Sequence, residues 1–171
     1  FGLRLQRQKP ELVFTCGFAG GLRPGVRRGT VLFSDAAGTG LEEDLRKAGA
    51  VPARFHASAS VITSPLEKRD LFSSTGADAV EMESFAIAAL CRECRLPCVT
   101  VRVVLDEAEE KLPLDFNQVL TEDLRISPGK LALELLKSPG KIGALMRLGK
   151  QSGFAAKQLA EVLGQVLCCS R

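Results

Sequence analysis

Tryptophan and tyrosine are absent from this chain of 171 residues, and histidine occurs once, at His56. Without Trp or Tyr the aromatic stacking face of a single-strand nucleic-acid module is poorly supplied, so such a module, for which only the basic tail speaks, ranks last and no nucleic-acid partner is expected. No run of about 18 apolar residues occurs, so nothing in the sequence is fit to span a membrane. No signal-peptide pattern, internal repeat or low-complexity tract is visible. Phe1 rather than Met opens the chain, in what reads as the end of a helix over 3–8. The expectation is a chain whose N-terminal segment has been removed.

Apolar residues make up 46% and charged residues 25%, ordinary values for a globular protein with a substantial core. The net charge of +3 conceals an asymmetry. From Leu124 onward there are eight Lys/Arg against two Glu, and before it 15 Lys/Arg against 18 Asp/Glu. A basic tail on a mildly acidic body reads either as a solvated helix face or as a surface that meets something anionic. Six cysteines are present, and Cys91, Cys94 and Cys98 stand in a C-x2-C-x3-C spacing. A closed metal site takes four ligands, and no fourth lies near in sequence. The expectation is reduced cysteines, no metal and a cytoplasmic protein.

Strand-like and helix-like stretches alternate along the first two-thirds. "ELVFTCGF" (11–18) reads as a buried strand closed by a Gly-rich loop, "AGGLRPGVRRG" (19–29), and "TVLFSDA" (30–36) as a second strand. A short helix is expected over 40–50, and β-rich chain with some alternation over 53–64. The stretch 65–76 has Pro at the first helical position and Gly at the end, the punctuation of a helix. "ADAVEMES" is a short strand entering a helix over 84–95. "LPCVTVRVVLD" (96–106) is the most continuous apolar strand and ends on an acid. This alternation predicts an α/β fold, three-layer α/β/α with a central, mostly parallel or mixed sheet. Residues 1–123 form that α/β domain. Residues 124–171 form a C-terminal extension of basic amphipathic helices, broken at Ser138–Pro139–Gly140 and near Gly149 to Gly153. Ligands of such sheets sit outside the carboxyl ends of the strands. Gly17 to Gly21, Glu81 to Glu83, and Asp106 all lie at strand ends, as parts of one site.

Each piece has an ordinary alternative. "CGFAGG" matches neither the dinucleotide fingerprint nor the P-loop and by itself is a tight turn. Glu81 and Glu83 are the acids a helix N-terminus favours, and Asp106 is a fit N-cap for a helix starting in "EAEEK".

Taken together, "TCGFAGGL", "GTVLFSD", "ADAVEMESFAIA" and "LPCVTVRVVLDEAE" resemble the purine nucleoside phosphorylase and nucleosidase superfamily, and within it the methylthioadenosine/S-adenosylhomocysteine nucleosidases. Order and spacing match from Lys9 to Phe116. The tail "LKSPGKIGALMRLGK" is similar to that of the hopanoid-associated phosphorylases, which act on adenosylhopane. The resemblance implies cleavage of the N-glycosidic bond of an adenosine-type nucleoside with release of adenine. It assigns Glu83 to the ribose diol, Met82 to the apolar face of the sugar, and Glu81 to support of the same edge. Asp106 becomes the acid that protonates the departing purine, oriented by Arg102. Phe18, Ala19 and Gly20 become the turn beside the base, and Val61 and Ile62 its walls. An acceptor-only carboxylate suits a diol of two donors. Hydroxyl contacts that tighten in an oxocarbenium-like transition state lower the barrier.

Two departures bear on the reaction. The family carries Ser before the acid, and this chain has Leu105. The Arg and hydroxyl with which phosphorylases hold phosphate fall at Thr15 and Phe18, neither of which is a fork for an oxyanion. Hydrolysis is therefore expected over phosphorolysis, with no cofactor and phosphate only as an alternative co-substrate. A phosphorylase and a catalytically degenerate nucleoside-binding protein are the other readings. The family's first strands and its water-activating carboxylate precede the matching segment, so about 40 to 60 residues are expected to be missing, and this chain alone is expected to be inactive or weak. The resemblance also implies a homo-oligomer, and the basic tail peripheral contact with an anionic membrane.

Overall fold

A computed structural model describes residues 10–119, 121 and 127–169, with Cys169 described in its backbone only. The expected helix end over 3–8 lies outside the described residues. Six strands form one sheet: β1 (Val13–Gly21), β2 (Val31–Ser34), β3 (Val51–Pro52), β4 (Phe55–Ala57), β5 (Ala79–Glu81) and β6 (Cys98–Asp106), in the order β3-β2-β6-β1-β5-β4. The β1–β6, β2–β3 and β4–β5 pairs are parallel, and β1–β5 and β2–β6 are antiparallel. The sheet is therefore mixed, and the α/β class read from the sequence holds. The helices are α1 (Glu42–Lys47), α2 (Pro65–Thr75), α3 (Ser84–Glu93), α4 (Phe116–Val119), α5 (Pro128–Lys137) and α6 (Ile142–Cys169), with a 3-10 turn at Pro139–Lys141 between the last two.

Three expectations are corrected. The glycines at 17, 20 and 21 do not form a turn: β1 runs extended through Gly21. At Gly17 and Gly20, side chains of β6 occupy the space a Cβ would take. A Cβ on Gly17 would stand 2.7 Å from Arg102 Nη1, and one on Gly20 3.3 Å from Asp106 Oδ2. Over 53–64 only Phe55–Ala57 is strand, since these residues lie at the sheet's edge beyond β5. Finally, α6 is not interrupted near Gly149 to Gly153. Each glycine inside a helix costs about 1 kcal/mol, and tertiary contacts on both sides outweigh it. Leu145, Leu148 and Ser152 face a cavity, and Ala155, Leu159, Val162 and Val166 pack on the sheet. These positions, three or four residues apart, form one continuous stripe.

The main core lies where that stripe meets Val31 and Phe33 of β2 and Val99, Val101 and Val103 of β6. Alternation along β6 sends Arg102 and Val104 to the opposite face. There α2 covers Leu22, Ala77 and Val80 with Leu71 and Phe72. Cys91, Cys94 and Cys98 sit in a third apolar cluster with Val13, Ile87 and Leu96. Burial there, with Cys91 beside it, pushes the Cys98 thiol up to about 12, so it packs as a neutral thiol.

Candidate active site

Beside the carboxyl-terminal halves of β1 and β6, and beside β5, which runs antiparallel to β1, lies a cavity of about 780 Å³, within the roughly 300–1,000 Å³ range of small-molecule sites. All ten residues singled out from the sequence line it: Phe18, Ala19 and Gly20 from β1, Val61 and Ile62 from the loop before α2, Glu81, Met82 and Glu83 between β5 and α3, and Arg102 and Asp106 from β6. Leu131 of α5 and Leu145, Leu148 and Ser152 of α6 close an apolar side. Two neighbours on β6, Leu105 and Asp106, both reach the cavity although side chains alternate along a strand. A β-bulge explains this. Ala19 pairs with Val104, and the next pair is Gly20 with Asp106, so Leu105 is left opposite nothing.

The two glutamates have different fates. Glu81 is buried and its carboxylate accepts four hydrogen bonds: from Ser84 Oγ (2.6 Å), Ser84 N (2.7 Å), Glu83 N (2.9 Å) and Arg102 Nη2 (2.9 Å). Burial opposes its charge, but these donors, Ser84 foremost, hold its carboxyl below the usual range. Oε2 accepts three of these bonds and Oε1 one, so most of the acceptor capacity of Glu81 is committed to the start of α3 and to Arg102. Glu83 is the free one. Its side chain is 63% exposed, with Oε2 3.6 Å from Arg102 Nη2.

Arg102 is 1% exposed. Its Nη2 donates to Glu81 and to Thr15 Oγ1 (3.0 Å), while Nε and Nη1 have no partner. It does not orient Asp106. The two lie four residues apart on one strand, about 13 Å along it, and the guanidinium turns toward Glu81 instead.

The partner of Asp106 is a residue that sequence reasoning missed. Lys68, in the first turn of α2, is wholly buried. Its ammonium donates to Asp106 Oδ2, to the carbonyl of Glu107 (2.6 Å) and to that of Glu110 (3.2 Å). A signal was present: Lys68, Leu71, Phe72 and Thr75 share one helix face, and Leu71 and Phe72 are apolar, so Lys68 stands where an apolar residue is expected. Burial pushes the Asp106 carboxyl above the ordinary range, with Lys68 the main opposing influence. Arg28 of the β1–β2 loop pairs with Glu110 and donates from Nε to the Leu105 carbonyl (2.7 Å), so it braces the loop after β6 and stays out of the cavity.

A model of the phosphorylase superfamily matches residues 53–137, the segment that holds both the V-E-M-E and V-R-x-x-x-D blocks. The superfamily resemblance read from those blocks therefore holds. Among solved structures, a 5′-methylthioadenosine/S-adenosylhomocysteine nucleosidase (MTAN) from Colwellia psychrerythraea, in complex with adenine, is 17% identical with a TM-score of 0.67, covering 97% of this chain and 70% of its own. The S. pneumoniae nucleosidase with a transition-state inhibitor is 15% identical, TM-score 0.67, covering 96% and 72%. Helicobacter pylori MTAN is 19% identical, TM-score 0.53, covering 60% of each. At these identities the likeness is one of fold, and this chain spans less than two-thirds of the Helicobacter protein's length.

Proposed function

We propose that the protein cleaves the N-glycosidic bond of an adenosine-type nucleoside and releases adenine. One observation carries this: a single cavity is lined both by a buried carboxyl that burial pushes above the ordinary range, Asp106, and by a largely exposed carboxylate, Glu83. Asp106 is the general acid for the departing base. Glu83 accepts from the ribose hydroxyls and Met82 packs on the sugar, with Phe18, Val61 and Ile62 walling the base.

Water is favoured as the nucleophile. Among the described residues lining the cavity, Arg102 is the one cationic side chain, against the carboxylates Glu81 and Glu83, with Asp106 the neutral acid. A phosphate dianion would meet more negative than positive charge there. The apolar side made by Leu131, Leu145 and Leu148 suits an adenosine whose 5′ position carries a bulky apolar group, as in adenosylhopane.

The test is adenine release from adenosine, methylthioadenosine and adenosylhopane by the full-length protein, with and without phosphate, beside the D106N variant. Release without phosphate that D106N abolishes is expected. Release only with phosphate makes the protein a phosphorylase, and nucleoside binding without release makes it a degenerate binder.

A further inference from the structure

We propose that Lys68 is a positioning residue for the Asp106 acid: its ammonium grips Oδ2, fixes the carboxyl at the end of β6, and stabilises the negative charge left there when the proton passes to the departing base. This rests on the reading of Asp106 as the acid. In that step the O–H bond of Asp106 breaks, an N–H bond forms on the base, the electron pair of the glycosidic bond leaves with the base, and water bonds to the sugar carbon and releases its proton to solvent, from which Asp106 is later reprotonated. The acid therefore becomes an anion in a site with almost no solvent. A cation already in place lowers the energy of that product more than that of the neutral acid, and interactions stronger after transfer accelerate the transfer.

The geometry has no slack for a passive role. Lys68 is 0% exposed and its three acceptors all belong to residues 106–110. Its stem enters from α2, whose register is set by a capping box: Ser64 Oγ accepts from Glu67 N, and Glu67 accepts from Ser64 N. A cation in the first turn of a helix opposes the macrodipole, so the site keeps Lys68 there at a local cost. Leu105 supplies no hydroxyl to the neighbouring acid, and among the described residues Lys68 is the side chain bonded to it. The other charges bearing on Asp106 are Glu110, which opposes its ionisation, and Arg28, which favours it. These two neutralise each other as an ion pair.

The test uses the full-length protein, its K68M and K68R variants, and two readouts. The first is an NMR titration of the Asp106 carboxyl carbon and, in the wild type alone, of Lys68 Nζ. The second is the pH dependence of kcat for adenine release. Expected are a Lys68 Nζ resonance that moves as Asp106 titrates and an Asp106 midpoint displaced upward in K68M. In K68M, kcat falls about 10-fold to 100-fold, the scale of one hydrogen bond to a charged group, and the alkaline limb of its profile moves to higher pH, while K68R keeps the wild-type midpoint. A Lys68 resonance indifferent to Asp106, read on the wild type even if K68M does not fold, overturns the proposal. So does a folded K68M with an unchanged midpoint. Coupled titration in a protein that cleaves no nucleoside instead sinks the reading of Asp106 as the acid.

Discussion

Two glutamates separated by one methionine do unlike work because one faces donors and the other faces solvent. Glu81 is engaged by Ser84, two main-chain N–H groups and Arg102, whereas Glu83 is largely open. Substitution of Glu81 by Ala leaves the Arg102 guanidinium buried without its carboxylate, and loss of roughly 3–5 kcal/mol is expected in denaturant unfolding. Glu83→Ala leaves stability near wild type and lowers kcat/KM for nucleoside cleavage by roughly 10-fold to 100-fold, the scale of one charge-assisted hydrogen-bond set. If the two variants lose stability equally, this division of roles is wrong. The pH signs also differ. The carboxyl of Glu81 is held low, so its stabilising contribution is present above the ordinary carboxylate range and lost as pH falls through the lowered value. That of Asp106 is held high, so its contribution is present at low pH and lost as pH rises through the raised value.

Among the secondary-structure elements, α2 has the clearest link between local chemistry and the site. Ser64, Pro65 and Glu67 start it, and Gly76 ends it at φ 62°, a left-handed conformation that favours glycine. Between them the helix delivers Lys68 to Asp106. Removing the cap hydroxyl in Ser64→Ala is expected to cost about 1 kcal/mol, read as a fall of about 2–4 °C in Tm. A change within about 0.3 kcal/mol would show that packing of Leu71 and Phe72, not the cap, positions the first turn. The bulge between β1 and β6 does comparable work for Asp106, turning an adjacent pair of residues to one side.

For the whole molecule, the outer face of the last two helices stands apart from the rest. Leu136 is 79% and Met146 65% exposed, amid Lys137, Lys141, Arg147 and Lys150, while Leu131, Leu145 and Leu148 of the same helices line the cavity. Among the described residues no helix is long and apolar enough to cross a membrane. We propose that this face meets an anionic membrane surface. The full-length protein should sediment with vesicles containing anionic lipid, more weakly as salt rises, since screening acts within about 10 Å at 0.1 M. Binding indifferent to both lipid charge and salt would exclude it.

The V-E-M-E and V-R-x-x-x-D blocks, the α2 punctuation and the long apolar strand ending on Asp106 were legible in the sequence because each is a local pattern: periodicity, capping chemistry, residue type at a strand end. Such patterns determined the α/β class and, through the family resemblance they carry, ten of the residues that line the cavity. What they left undetermined depends on distance through space. Only the tertiary structure decided that the β1 glycines make room for Arg102 and Asp106 rather than turn the chain. It likewise decided that Arg102 serves Glu81, that α6 runs on through two glycines, and that a lysine 38 positions before Asp106 is its partner. A buried charge is tolerated where its counter-charge lies, and that place is set by the packing of α2 on Leu22, Ala77 and Val80.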